Sequence, residues 1–316
     1  MFSFIEIVRT FATCLITNSH FSPIYTHDIF AKGGAFGNSL FFLATGFCLA
    51  ECGKNSFPAW YKKRLVRLYV PVFFASWFYL YIGNHWWDTV IFSFIFPQNY
   101  WFVCALVILY PLYYIAVKYP FRNRKYVYTA ILILLYAVVY VQLDTSRYMV
   151  ETIEFFAIRF SYIFSFFLML LGAYLRKHFQ EIKERFYKKR ILILILFFGS
   201  MIAYFAFILL MKRFDILCRI QFVETILCIL TSVSLFLFIM VYEDRMKSRS
   251  GYLNDITSFL GNHTLEIYLV QFPIINLVGR LQLMSIVKFV IAVFVILMSA
   301  FVLKKVSNCV IIAEMK

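Results

Sequence analysis

The chain has 316 residues, of which 63% are hydrophobic and only 15% charged, with a formal net charge of +15. A soluble domain carries roughly 45–50% apolar and about 25% charged residues, so this balance excludes an ordinary soluble domain and points to an integral membrane protein. The positive excess would suit nucleic acid only if it formed a soluble basic face, and the chain-order reading below excludes that.

At ~20 apolar residues per crossing, hydropathy predicts spans near 3–21, 34–51, 69–83, 99–117, 126–143, 156–175, 191–211, 220–242, 256–278 and 283–303. The fold class is therefore all-α integral membrane with about ten transmembrane helices, in a single domain over 1–316. Most of the 31 basic residues fall in alternate connections: Lys54 to Arg67, Lys118 to Lys125, Arg176 to Arg190, Arg245 to Arg249, and Lys304 onward. The other connections hold only Lys32, Arg147, Lys212, Arg213, Arg219 and Arg280. By the positive-inside bias both termini are cytoplasmic. Most of the positive charge is thus topological, and no nucleic-acid partner is expected. The absence of a basic n-region and of a small-residue cleavage site predicts that the first helix is retained.

The stretch NHWWDTVIFSFIFPQ (84–98) is too short to span and reads as an interfacial or re-entrant segment. Glu154 and Arg159, near the start of the sixth span, and Glu224, in the eighth, read as pairs that fix packing. His27, His85 and His178 read as solvated loop residues, and His263 as a turn or interfacial residue. The seven cysteines, lying mostly in apolar runs without C-x-x-C spacing, read as packing residues, and no metal site is expected.

The first span is unusual because it holds Glu6, Arg9 and His20. Eleven residues at 100° each bring Arg9 and His20 to one helix face, roughly 16 Å apart, with Thr13 and Thr17 between them. Glu6 stands one turn before Arg9, within reach of an ion pair. A charged face inside a span must look into the bundle or a wet cavity, because one Arg at the bilayer centre costs at least ~2.5 kcal/mol.

The acidic residue, the basic residue three positions later, and the His after ten more resemble the opening of membrane acyltransferase family 3. That group O-acetylates surface polysaccharides and related glycans. GAFGNSLFFLATGF (34–47) is similar to the family's second helix, with Ser39 where Asp is common and Thr45 for Ser. FPAWYKKRLVRLYVP (57–71) resembles its Arg-x-x-Arg loop before a Pro, matched by Arg64, Arg67 and Pro71. NYWFVCALVILYPLYY (99–114) is similar to its Trp-containing fourth helix, without the Glu found there in many members. LGNHTLEIYLVQFPI (260–274) resembles a late stretch of the family, with Thr264 for Ser and Gln271 where a His often stands.

The resemblance implies an O-acyltransferase of the inner (cytoplasmic) membrane, multi-pass, moving an acetyl or similar short acyl group from cytoplasmic acetyl-CoA to a glycan or lipid-linked saccharide. It implies a catalytic pair of His20, as base or acyl carrier, and Arg9, lining the donor channel. Arg64 and Arg67 would hold the phosphates of coenzyme A, and Ser39, Thr45 and Glu266 would line the acceptor. Without the resemblance, the same charges also suit a proton-coupled transporter or a lipid-linked sugar flippase, with Glu6, Arg9, His20, Glu224 and Glu266 as a relay.

Overall fold

The computed structural model describes residues 3–83, 100–119, 125–146, 154–155, 158–243 and 251–314. The interfacial reading of 84–98, together with His85, falls outside the described residues. In chain order the helices are α1 (Ser3–Ser19), α2 (Gly34–Leu49), α3 (Phe57–Gly83), α4 (Trp101–Lys118), α5 (Lys125–Gln142), α6 (Ser161–Lys177), α7 (Phe179–Tyr187), α8 (Arg190–Arg213), α9 (Phe222–Val241), α10 (Gly251–Asn262), α11 (Thr264–Gly279) and α12 (Ser285–Glu314). A pair of two-residue antiparallel strands, Glu154–Phe155 and Ile158–Arg159, sets Glu154 opposite Arg159 just before α6.

The fold is all-helical in its mass, as bilayer physics demands of an open chain, since a helix satisfies its backbone polar groups internally. Five stretches among the described residues are long and apolar enough to cross a bilayer: Gly34–Lys54, Trp101–Lys118, Arg190–Arg213, Phe222–Val241 and Ser285–Ile312. Val127–Gln142 and Thr264–Gly279 are apolar but shorter. The protein is thus a multi-pass membrane protein.

Three elements differ from their sequence-based expectation. Helix α3 begins at Phe57, not near 69, so Arg64 and Arg67 ride on a continuous 27-residue helix, not in a loop. The expected ninth span is divided at His263 into α10 and α11. Helix α12 runs 30 residues to Glu314, which takes Lys304 out of the expected loop and into a helix. The common reason is that backbone hydrogen bonding does not stop where the apolar run stops, and α3 and α12 continue through their basic residues.

The chain divides into two compact units. The first comprises Met1–Val8, Ala35–Lys54 and Leu112–Gly251, and the second Arg9–Gly34, Asn55–Pro111 and Tyr252–Lys316. In the first unit Phe4, Phe47 and Phe236 form a mutual aromatic cluster with centroids 5.3–5.7 Å apart. Phe179 joins it at 5.9 Å from both Phe4 and Phe47. Glycine permits the close approach of α2 and α6 behind it. A Cβ on Gly46 would stand 2.0 Å from the Met169 carbonyl oxygen, and one on Gly172 would stand 2.2 Å from that of Leu43. This is the small-residue contact by which membrane helices gain van der Waals packing. Tyr113, fully buried, donates its hydroxyl to the Gly46 carbonyl at 2.6 Å.

In the second unit α3, α11 and α12 pack on one another. The connection after α1 is folded back on itself by Asn18. Its amide donates to the carbonyls of Phe30 (2.7 Å) and Lys32 (3.0 Å), while its oxygen accepts the Tyr25 hydroxyl at 2.7 Å. Gly33 closes this connection at φ +107°, a left-handed conformation that L side chains rarely adopt.

Candidate functional site

The second unit contains Arg9, His20, Arg64, Arg67 and Glu266. Within it α1 lies along α10 and α11 through three successive contacts. The Thr10 hydroxyl donates to the Thr257 carbonyl at 2.9 Å, the Thr13 and Thr264 hydroxyl oxygens are 3.1 Å apart, and the His20 ring meets Phe272 edge-on at 5.8 Å. Thr13 is 4% exposed and also reaches the Arg9 carbonyl at 2.8 Å. The polar stripe of α1 therefore faces protein, which is where an intramembrane charge belongs.

His20 does not continue that helix. Helix α1 ends at Ser19, and the His20 amide bonds back to the Thr17 carbonyl at 3.1 Å in a tight turn. The half-buried imidazole is therefore set by the Asn18-held connection, not by helical phase. The same connection packs Phe21 and Tyr25 against Phe289 of α12, with centroids 5.0 and 6.2 Å away.

Glu266 is 7% exposed, two residues after Thr264, and its Oε2 is buried with no hydrogen-bond partner. Lys304 of α12 donates its ammonium to the Asn262 carbonyl, at the junction of α10 and α11. Its charge acts on Glu266, and that of Arg9 acts on it. Arg9, Glu266 and Lys304 thus share one electrostatic neighbourhood.

Other buried oxygen atoms of this unit have no hydrogen-bond partner: Thr17 Oγ1 on α1, Ser76 Oγ on α3, Gln271 Oε1 on α11 and Ser307 Oγ on α12. Gln271 and Ser307 are each 1% exposed and Ser76 is 3% exposed. Polar atoms left unpaired at such depth are rare in folded proteins.

Arg64 is half-buried and Arg67 exposed, three residues apart on α3. Pro71, inside the helix, lacks the N–H that would bond the Arg67 carbonyl four residues back. That carbonyl is thereby left outside the helical ladder.

A family model described as "Acyltransferase domain", acyltransferase family 3, matches residues 2–305. The chain belongs to acyltransferase family 3. No curated protein and no solved structure matches it. The match runs through both units of this membrane acyltransferase, and it includes every site residue anticipated from the sequence.

The acyltransferase carries Ser39 and Thr45 in its first unit. Ser39 is completely buried, 3.4 Å from the Cys228 sulfur, and Thr45 is 7% exposed. Glu224, also in the first unit, is 3% exposed in the first turn of α9. Lys304 and Ser307 escaped the sequence reading because basic residues after an apolar run look like a cytoplasmic flank. The signal that could have found them is the return of apolar residues at Val306 and Cys309 to Ile312 beyond Lys304, which lets the span continue to Ile312.

Proposed function

We propose that this protein transfers an acetyl or similar short acyl group from cytoplasmic acyl-CoA to a hydroxyl of a surface or lipid-linked glycan. In this reading the chain crosses the inner (cytoplasmic) membrane ten times with both termini in the cytoplasm. The observation that carries it is the presence of His20, Arg9 and a buried Glu266 in one unit of a chain whose family is acyltransferase.

The residues suit the parts of the reaction. An imidazole, whose ordinary pKa lies near 6.5, accepts a proton from the acceptor hydroxyl near neutral pH. The oxygen then attacks the thioester carbonyl carbon and a C–O bond forms. When the tetrahedral intermediate collapses, the C–S bond breaks and the proton on His20 passes to the leaving thiolate. An acyl-histidine, formed by attack of the ring nitrogen itself and discharged by the glycan hydroxyl, balances equally well. Arg9 and Lys304 attract the anionic donor, and Arg64 and Arg67 offer planar forks that match phosphate oxygens. Glu266 is the proposed acceptor contact of the second unit; Ser39 and Thr45, buried in the first, are taken as packing residues of α2.

The test is the ester-acetyl content of the host's surface glycans by proton NMR, before and after mild alkali. It is made in a deletion strain complemented with wild type or with His20→Ala at equal protein level. The reading expects ester acetyl with wild type and none with the variant. Equal restoration by both would make His20 a packing residue and remove the mechanism. Stabilisation of the solubilised protein by CoA is the companion measurement, since a ligand that binds only the folded state must raise its melting temperature.

A further inference from the structure

A cavity of about 1090 Å³ lies entirely within the first unit, where the C-terminal ends of α2, α4 and α6 meet the start of α5 and of α7. Nothing in the proposed acyl transfer uses it. Its lining includes the apolar Val117, Phe167, Leu170 and Leu171 and a charged rim that includes Arg176 and Lys177.

The rim's acids are engaged locally. Glu51 is bonded to Lys54 at 2.8 Å, and Glu181 lies 3.4 Å from His178. Arg176 pairs with Glu51 at 3.9 Å, and its guanidinium rests over the Phe47 ring, 5.5 Å from the centroid. That stacking holds the fork in place, and Lys177 beside it is exposed. The apolar wall continues into the outward face of α5, where Ile131, Leu134 and Val138 are exposed, as on a helix that faces acyl chains. Because α2, α4 and α6 end here, the cavity lies at the end of the helices that the positive-inside bias assigns to the cytoplasmic leaflet.

A ligand that fits must be anionic at one end and hydrocarbon at the other, and must be present at the helix ends of a membrane protein. Basic pockets between membrane helices on the cytoplasmic side take anionic lipid headgroups in this way. We infer that this groove holds one anionic phospholipid, its phosphate on Arg176 and Lys177 and an acyl chain against Val117, Phe167, Leu170 and Leu171. The site is independent of the acyl-transfer reading and would stand if that reading failed.

The full-length protein in phosphatidylcholine nanodiscs, doped with spin-labelled phosphatidylglycerol or spin-labelled phosphatidylcholine, gives the test by electron paramagnetic resonance. The groove predicts a larger motionally restricted fraction for phosphatidylglycerol. Lys177→Gln, an exposed change that keeps the fold, should lower that preference about fivefold, and Arg176→Gln at least as much. Equal fractions for the two lipids, or a preference that both variants retain, would overturn the inference. If Arg176→Gln fails to fold, Lys177→Gln alone decides. Loss of the preference on adding millimolar CoA or inorganic phosphate would also overturn it, by assigning the groove to a soluble anion.

Discussion

Substituting Gly172 by Ala tests the helix contact on which the first unit is built. An added Cβ would lie 2.2 Å from the Leu43 carbonyl oxygen and 2.7 Å from the Phe47 nitrogen, both backbone atoms that no rotamer can move. Ordinary contact begins at 3.4 Å, so α2 and α6 must separate by about 1.2 Å along that line. Overpacking of this kind costs typically 1–3 kcal/mol, and the absence of a movable side chain puts this case at the upper end. Ala gains back ~1 kcal/mol over Gly in a helix interior, which leaves a net loss of about 2 kcal/mol. At roughly 2–4 °C per kcal/mol for a chain somewhat smaller than this one, the variant should melt several degrees below wild type. Gly199 of α8 is the control, because its added Cβ meets nothing within 4 Å. Gly199→Ala should keep or slightly raise the melting temperature by the same propensity term. Thermal unfolding of both variants in one detergent is the assay. A Gly172→Ala protein that melts no lower than Gly199→Ala would refute the backbone contact and the packing reasoned from it.

Three further outcomes follow from the second unit. Lys304→Met keeps the length of the side chain but removes a cation from beside Glu266 and the donor to Asn262. It should raise the KM for acetyl-CoA more than tenfold and leave that for S-acetyl-pantetheine, which has no phosphate, near wild type; equal losses with both donors would make Lys304 purely structural. Arg64→Lys keeps the charge but loses the planar fork, so CoA affinity should fall about tenfold in a thermal-shift titration, and unchanged affinity would remove Arg64 from the donor site. Asn18→Ala deletes three hydrogen bonds at about 0.5–1.5 kcal/mol each and frees the connection that seats His20. It should lower kcat with little effect on CoA binding, and an unaltered kcat would show that His20 is positioned by Phe272 alone.

Much of the architecture was legible because lipid imposes one simple rule on a chain. The apolar runs at Arg190–Arg213 and Phe222–Val241 are visible from hydropathy to within two residues, since every residue of a span faces either lipid or other helices. Helix α3 was read short because Lys62, Lys63, Arg64 and Arg67 dilute the apolar average, although Lys and Arg are good helix formers. The turn at His263, after Gly261 and Asn262, was legible, but hydropathy over 256–278 did not show that it divides the span into two helices. Arg9 and His20 stood out in a segment where polar residues are costly. Lys304 did not, because the same positive-inside bias that orients the chain also explains away a cation near a helix end.

Residue identity and order were enough to establish the membrane class, the near positions of most helices, the family and the candidate base. Those properties depend on composition and on intervals along one chain, which a linear reading measures directly. The turn that carries His20 off the axis of α1, the meeting of Arg9, Glu266 and Lys304, and the lipid-sized groove beside Arg176 depend on side chains many residues apart. Lys304 meets Asn262 across 42 positions. Separations of that kind are set by which helix faces pack together, and packing is a property of shape in three dimensions.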